Sequence, residues 1–444
     1  MSFRPLRSHW SHRSHWSLLS ERNIDNERQC SPTFQHPLLE SELNMSSEHV
    51  LIPYRPEHVR MAQSLIKEMR AKGGLAPVDL ERFWADQEIA AADPFGSRVS
   101  QVAFGAHTTW ECVFDELGVP EDYWRYEQDE AWRLELNKGY NEKSERIVGK
   151  KLLPEKMEDP GLKYPPVKGL HDVFEARNVW RDRSWWLMQA ANTPDELKAL
   201  LDRVEARDVR RCILPENWEK ERERLTALGV KSPLYRGQRG PVTFATSIYG
   251  PQNLIFLIME DPDLAARLRD NIIRVMLEIA RILDEEAGYT PEAAPRGFAF
   301  CDDNCCLLTP EMYEFFGLPI LRALYERYSP DPGDPRYQHS DSAMAHLLPL
   351  LAKVNLNRTN FGPTVTVKEI REHLPAAVID GQLAPFTYSR NEEENIVLEF
   401  LRDFEMAREK RGLNFATAGS VNNGSRLTGM RLIMAAIQRY GRYV

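Results

Sequence analysis

The last third of the chain repeats one arrangement five times: a short apolar run, a cluster of polar residues, and a stretch with helical patterning. The clusters are Cys301-Asp302-Asp303-Asn304, His339-Ser340-Asp341-Ser342, Asn360-Phe361-Gly362-Pro363, Asp380-Gly381-Gln382-Leu383-Ala384-Pro385, and the run from Thr417 to Ser425. Their first residues lie 38, 21, 20 and 37 positions apart, about one strand-plus-helix unit with or without an insertion. Alternation of this kind implies a parallel sheet with right-handed crossovers. In a (β/α)8 TIM-type barrel, the ends of successive strands share one rim, and that rim carries the active site. The expected fold class is therefore α/β, a TIM-type barrel with an irregular N-terminal extension.

The stretches between the clusters read as helices covering such a sheet. From Ser389 to Gly412, the residues Ile396, Val397, Phe400, Leu401 and Phe404 fall on one face, with Ser389 and Glu392 as a capping-box pattern. Thr366 and Glu369 open a shorter helix that Pro375 ends. Thr309-Pro310-Glu311 opens another, in which Pro319 is expected to make a kink. The β-like runs are 297–300, 335–338, 354–359, 376–379 and 413–416.

At 444 residues the chain has ample material for one barrel of about 250 residues plus extensions. A net charge of −9 argues against binding to nucleic acid or to an anionic membrane surface. No apolar run approaches the ~20 residues of a membrane span. Six sparse, unpatterned cysteines suit a reducing compartment, so a cytoplasmic location is expected. The first 48 residues look foreign to the rest: Ser8–Ser17 is a near-repeat of SHW and SHR. This tract reads as a biased extension ahead of Met45, without the apolar core of a secretory signal. Residues 49–444 are expected to form the barrel.

The first half of that region is less regular. Pro56–Lys72 has a helical pattern, and Val99–His107 reads as a strand. Glu121–Pro160, charged and aromatic, reads as a surface insertion. Ser184–Ala191 followed by Thr193-Pro194-Asp195-Glu196 signals a strand and then a capped helix, and Pro233–Tyr249 reads as a further strand region.

Asp302, Asp303, His339 and Asp341 carry the reactive potential, and they are the expected catalytic residues. Carboxylates and an imidazole at neighbouring strand ends can hold a divalent metal, act as general acid and base, or hydrogen-bond one another. His339 and Asp341 are two apart, so on an extended strand both point the same way and can act as a ligand pair. Asn304, Gln382, Ser420 and Asn422 are expected to bind substrate. Gly419-Ser420 and Asn422-Asn423-Gly424 form a small-residue loop whose backbone can approach an anion or carbonyl.

From about Gly240 to Tyr443 these segments, in order, resemble the uroporphyrinogen decarboxylase superfamily. The resemblance lies in Arg239-Gly240-Pro241-Val242-Thr243, in Asp302-Asp303 ahead of Leu308-Thr309-Pro310-Glu311-Met312-Tyr313 and Leu318-Pro319, and in His339-Ser340-Asp341. Gly381-Gln382-Leu383-Ala384-Pro385 looks like the family's G-N-x-x-P turn, and Ile437–Tyr443 looks like its terminal helix. The resemblance implies a distorted TIM barrel, often a homodimer, with one of two chemistries. One is cofactor-free decarboxylation of a tetrapyrrole; the other is zinc-dependent methyl transfer linked to a corrinoid protein.

The chain departs from both. It has no counterpart near Arg55–Arg70 of the decarboxylase R-Q-A-G-R-Y motif, and Thr108-Thr109-Trp110-Glu111 stands where an aspartate is expected ahead of Leu117-Gly118. The active-site tyrosine falls near Ser247, and the C-terminal G-H is Gly419-Ser420. The methyltransferase H-x-C reads His339-Ser340-Asp341, and the later cysteine position falls in Ala418-Gly419-Ser420. A harder oxygen/nitrogen metal site, zinc being the first expectation, stays open with His339 and Asp341 as ligands. A metal-assisted methyltransferase acting on a small methylated or corrinoid-linked substrate leads. A cofactor-free carboxy-lyase and a non-catalytic tetrapyrrole- or corrinoid-binding barrel are the alternatives.

Overall fold

The computed structural model describes residues 54–98, 101–156, 159–232 and 237–443; the His-rich tract at 1–48 lies outside them. The strands, in chain order, are β1 Ala103–Phe104, β2 Arg177–Arg181, β3 Ser184–Met188, β4 Gly237–Arg239, β5 Phe298–Cys301, β6 Arg336–Ser340, β7 Arg358–Phe361, β8 Val378–Leu383 and β9 Leu413–Thr417. Seven of them form one sheet in the order β1-β9-β8-β7-β6-β5-β4, with every ladder parallel. This is the strand order of a TIM-type α/β barrel. Among the described residues no ladder joins the outer strands β1 and β4, while β2 and β3 form a separate antiparallel hairpin.

Residue parity separates the two faces of the sheet. Phe298 and Phe300 of β5 pack on Tyr328 and Tyr325 of the Gly317–Tyr328 helix, and Phe415 of β9 packs on Phe400 of the Glu393–Ala407 helix. These odd-and-even neighbours fix the other face: Cys301, His339, Asn360, Asp380 and Asn414 point away from the helix layer. The helices bury their expected stripes. Ile396, Val397 and Phe400 are fully buried, as are Met430, Ile433, Met434 and Ile437 of the Leu427–Tyr440 helix. Each such side chain contributes about 1.5–3 kcal/mol on removal from water. The longest helix, Pro262–Glu286, starts where Asp261 accepts a hydrogen bond from the Leu264 amide, and it buries Leu264, Leu268, Ile272, Val275 and Ile279. No single helix among the described residues is long and apolar enough to cross a membrane.

Several local expectations hold. Thr366 and Glu369 form a complete capping box, and Thr309 and Thr193 cap their helices through the Met312 and Glu196 amides. Others shift. The Thr309 helix breaks at Phe316 rather than at Pro319, because Gly317 sits against the Tyr313 ring and Pro319 falls in the first turn of the next helix, where its missing N–H costs nothing. Pro241–Tyr249 is a helix, not a strand: Pro241 sits at its first position, and of the described residues of the expected 233–249 strand region 237–239 pair in the sheet. Ser389 does not cap the Glu393–Ala407 helix; it closes the short Pro385–Ser389 helix before it. Of the expected strand at 99–107, the described residues 101–107 hold a strand at Ala103–Phe104. Glu121–Pro160 is largely helical, at Tyr123–Gln128 and Glu130–Val148, with Tyr126, Leu136, Tyr140 and Val148 buried in the core.

Candidate functional site

The ladder register draws one row across four strands: Arg239 of β4 faces Cys301 of β5, Cys301 faces His339 of β6, and His339 faces Asn360 of β7. Just beyond this row, at the C-terminal rim, Asp303 and Asp341 follow β5 and β6. One ligand atom each from Asp303, His339 and Asp341 can be chosen so that all three lie within 4.8 Å of one another. His339 Nε2 is 3.6 Å from Asp303 Oδ1, too long for a hydrogen bond. The Asp341 amide donates to Asp303 Oδ1 at 3.2 Å, which ties the two carboxylate-bearing loops together.

Asn360 sets the direction of the imidazole. Its amide nitrogen donates to the carbonyl oxygens of Asp380 and Thr417, the latter at 2.9 Å, so its Oδ1 is left as the acceptor facing His339. His339 Nδ1 lies 2.7 Å from that oxygen and therefore carries the proton. The lone pair then sits on Nε2, toward Asp303. An imidazole oriented through its far nitrogen is the usual second-layer support of a metal-binding histidine. Ligands about 2.1 Å from a tetrahedral ion stand about 3.4 Å apart, close to the 3.6 Å His339–Asp303 separation.

The rim loops pack directly on Asp341. A Cβ on Gly419, whose φ is +114°, would lie 3.0 Å from Asp341 Cβ and 3.5 Å from its Oδ2. A Cβ on Gly362 would lie 2.4 Å from the Asp341 carbonyl oxygen. Glycine is needed at both positions for the close approach; Ser420, which follows Gly419, is half-buried.

Asp302 is held apart from the other three. It is fully buried on the opposite face of β5, where its Oδ1 accepts a hydrogen bond from the Thr243 amide at 2.8 Å. The Pro241–Tyr249 helix has glycine at its N-cap and no side-chain cap of its own, so Asp302 satisfies one of its orphan amides from a neighbouring strand. Gly240 allows this: a Cβ there would lie 2.4 Å from Asp302 Cα. Asn304 bonds the same helix through Thr246 Oγ1 at 2.7 Å. Gln382 is buried and donates to the Gly362 carbonyl at 3.0 Å, and Asn422 accepts from Cys112 through its backbone oxygen.

Burial dominates the electrostatics. It pushes the Asp302 carboxyl up to about 7 against the opposing Thr243 hydrogen bond. Asp303 is pushed up to about 6, first by burial and then by the Asp341 charge, with His339 opposing both. The Cys301 thiol rises to about 12 for the same first reason.

Asn360, Arg239 and Gly419 complete the site, although none was among the expected site residues. Asn360 carried a signal as the first residue of a polar cluster, whereas Arg239 could be placed only once the register with Cys301 was known.

Residues 220–440 match the family model described as uroporphyrinogen decarboxylase (URO-D). No curated protein matches the chain in sequence. Among solved structures, a methyltransferase from Methanosarcina mazei is similar with 16% identity and a TM-score of 0.47, over 80% of this chain and 98% of that one.

Proposed function

Because the chain belongs, through residues 220–440, to the uroporphyrinogen decarboxylase family, we propose that its rim site works as a metal-assisted group-transfer centre, with methyl transfer to or from a small molecule as its reaction. The observation that carries this reading is the convergence of Asp303, His339 and Asp341, with the imidazole lone pair turned inward by Asn360. Two carboxylates and one imidazole form an oxygen/nitrogen donor set suited to zinc or another borderline divalent ion. Held by these residues, such an ion would supply Lewis-acid chemistry to a substrate atom at the rim. Asp303 and Asp341 supply charge for it and His339 a directed lone pair. Gly419 and Gly362 keep the rim loops close against Asp341.

The tetrapyrrole reading loses support from the N-terminal helix. A substrate with several carboxylates needs several arginines, but Arg55 and Arg70 pair instead with Glu405 and Glu393 of the covering helix. Ser247 spends its hydroxyl on the Thr243 carbonyl, and Tyr249 is buried. One feature favours cofactor-free proton transfer as a second reading: Asp303, whose carboxyl burial and the Asp341 charge push above its usual range, lies 3.6 Å from the His339 imidazole, a pairing of acid and base suited to proton exchange. For methyl transfer, a corrinoid protein as methyl carrier and a homodimeric barrel are the partners this reading brings with it.

The test is turnover. Protein stripped with a chelator and reloaded with zinc is assayed for demethylation of methylcobalamin with a panel of small thiols. The proposal expects turnover that vanishes on stripping and returns on reloading. Metal-independent consumption of a carboxylic substrate would move the assignment to the second reading.

A further inference from the structure

Two pairs of aromatic rings line a solvent-open cleft in the part of the chain ahead of residue 220. Trp110 and Tyr123 come from the segment after β1, and Trp180 and Trp185 are cross-strand partners in the β2–β3 hairpin. The carboxylates of Glu111 and Glu127 share the lining. Each pair of rings meets edge to face: Trp110 on Tyr123 with centroids 5.7 Å apart at 78°, and Trp180 on Trp185 at 5.4 Å and 71°. The cleft spans about 290 Å³ including its open mouth, and about 20 Å³ of it accepts the centre of a water-sized group. That is room for one such group at a time.

Two carboxylates against one guanidinium give the lining a net negative charge, and that guanidinium is engaged elsewhere. Arg183 is 71% exposed and pairs at 3.3 Å with Glu121, which does not line the cleft. Glu127 accepts a neutral hydrogen bond from Trp185 Nε1 at 3.2 Å, and among the described residues it makes no ion pair. A carboxylate offers about four acceptor sites, so most of its capacity remains. Aromatic faces and carboxylates attract one class of ligand in common, a cation. Size then selects among cations. Room for one water-sized group rejects a quaternary ammonium and suits a primary ammonium, whose three donors also need oxygen acceptors. We propose that this cleft binds the primary ammonium head of an alkylamine, either a free amine or a lysine side chain, with the carbon chain leaving through the open mouth. Glu127 supplies the acceptor, Glu111 further charge, and the tryptophans the aromatic faces. The proposal does not rest on the metal-assisted reading: none of the lining residues belongs to the rim cluster or lies within 220–440.

The experiment titrates n-butylammonium, Nα-acetyl-lysine amide, tetramethylammonium and the uncharged 1-butanol into the full chain at pH 7 and low salt. Tryptophan fluorescence and ligand-observed NMR read the binding. Butylammonium is expected to saturate, about 10-fold or more tighter than tetramethylammonium, which does not fit, and 1-butanol, which has no charge. Glu127→Gln keeps an acceptor for Trp185 but drops the charge, and should weaken butylammonium by about 10- to 100-fold. Trp180→Leu should weaken it by about 3- to 30-fold; Trp180→Phe, which keeps a ring, should lose less and guards against a folding defect in the leucine variant. Either order between butylammonium and the lysine amide supports the ammonium site, and the tighter of the two names its source, a free amine or a polypeptide. No saturable ammonium binding, equal affinity for 1-butanol, tighter binding of tetramethylammonium, or unchanged affinity in both Glu127→Gln and Trp180→Leu overturns the assignment.

Discussion

Replacing Asn360 with alanine would remove the hold on His339 while leaving all three proposed ligands in place. The wild-type side chain makes three hydrogen bonds: it accepts from His339 Nδ1 and donates to the carbonyls of Asp380 and Thr417. In the variant the imidazole is free to adopt its other tautomer and to turn its ring. Loss of such second-layer support lowers metal affinity by about 10- to 100-fold. The two carbonyls, in a site where Asn360 is only 8% exposed, each lose a donor, so the fold should lose about 2–3 kcal/mol in total. Competition for zinc against a chromophoric chelator at constant pH reads the first effect, and urea unfolding of stripped protein reads the second. Asn360→Asp separates them: it keeps an acceptor for His339 but sets a carboxylate oxygen against the two carbonyls, so stability should fall further while zinc affinity is largely retained. Unchanged zinc affinity in Asn360→Ala, alongside the expected fall in stability, would refute the positioning argument.

Gly240→Ala would drive a Cβ into Asp302 at 2.1 to 2.4 Å, and neither the strand nor the buried carboxylate can retreat. A loss of about 3 kcal/mol or more, read as a lower thermal midpoint or as insoluble protein, is expected; a wild-type midpoint would contradict the packing. Glu286 has a carboxylate side chain that is 1% exposed, and burial alone would raise its proton affinity. Hydrogen bonds from Trp218 and Arg210 and the Arg222 charge outweigh burial and hold the carboxyl below its usual range. Because its folded value is depressed, its contribution is full above about pH 4.5 and is lost as pH falls below that. Glu286→Gln should therefore cost about 1–3 kcal/mol at pH 7, after discounting for the partly exposed arginines, and progressively less toward pH 3. A urea series across that range checks the sign; a penalty that grows on acidification would contradict it.

Much of the C-terminal half was legible because each element obeyed one local rule. The five apolar runs became β5 to β9, each ending one to four residues later than the run suggested, since polar residues such as His339 and Asp380 continue the strands on the inward face. Capping residues Thr309 and Thr366 were readable because they act within three positions of themselves. What was not legible depended on partners distant in sequence. Asp302 and Asp303 lie just past the end of β5, so alternation does not assign them; only their partners, the Thr243 amide for Asp302 and the His339 imidazole and Asp341 amide for Asp303, show which of them joins the cluster. The same limit hid Arg239. The Pro241 helix was misread as a strand because the cap for its first turn comes from Asp302, 59 residues away.

The central claim is that Asp303, His339 and Asp341 form one metal site, and elemental analysis of purified protein tests it most directly. Protein begun at Met45 should be measured beside the full chain, because the histidines ahead of it could bind metal independently. The account predicts close to one equivalent of a divalent metal in both forms, lost in His339→Ala and in Asp341→Ala while both variants remain folded. Metal absent from the wild type, or retained undiminished in both variants, would contradict it.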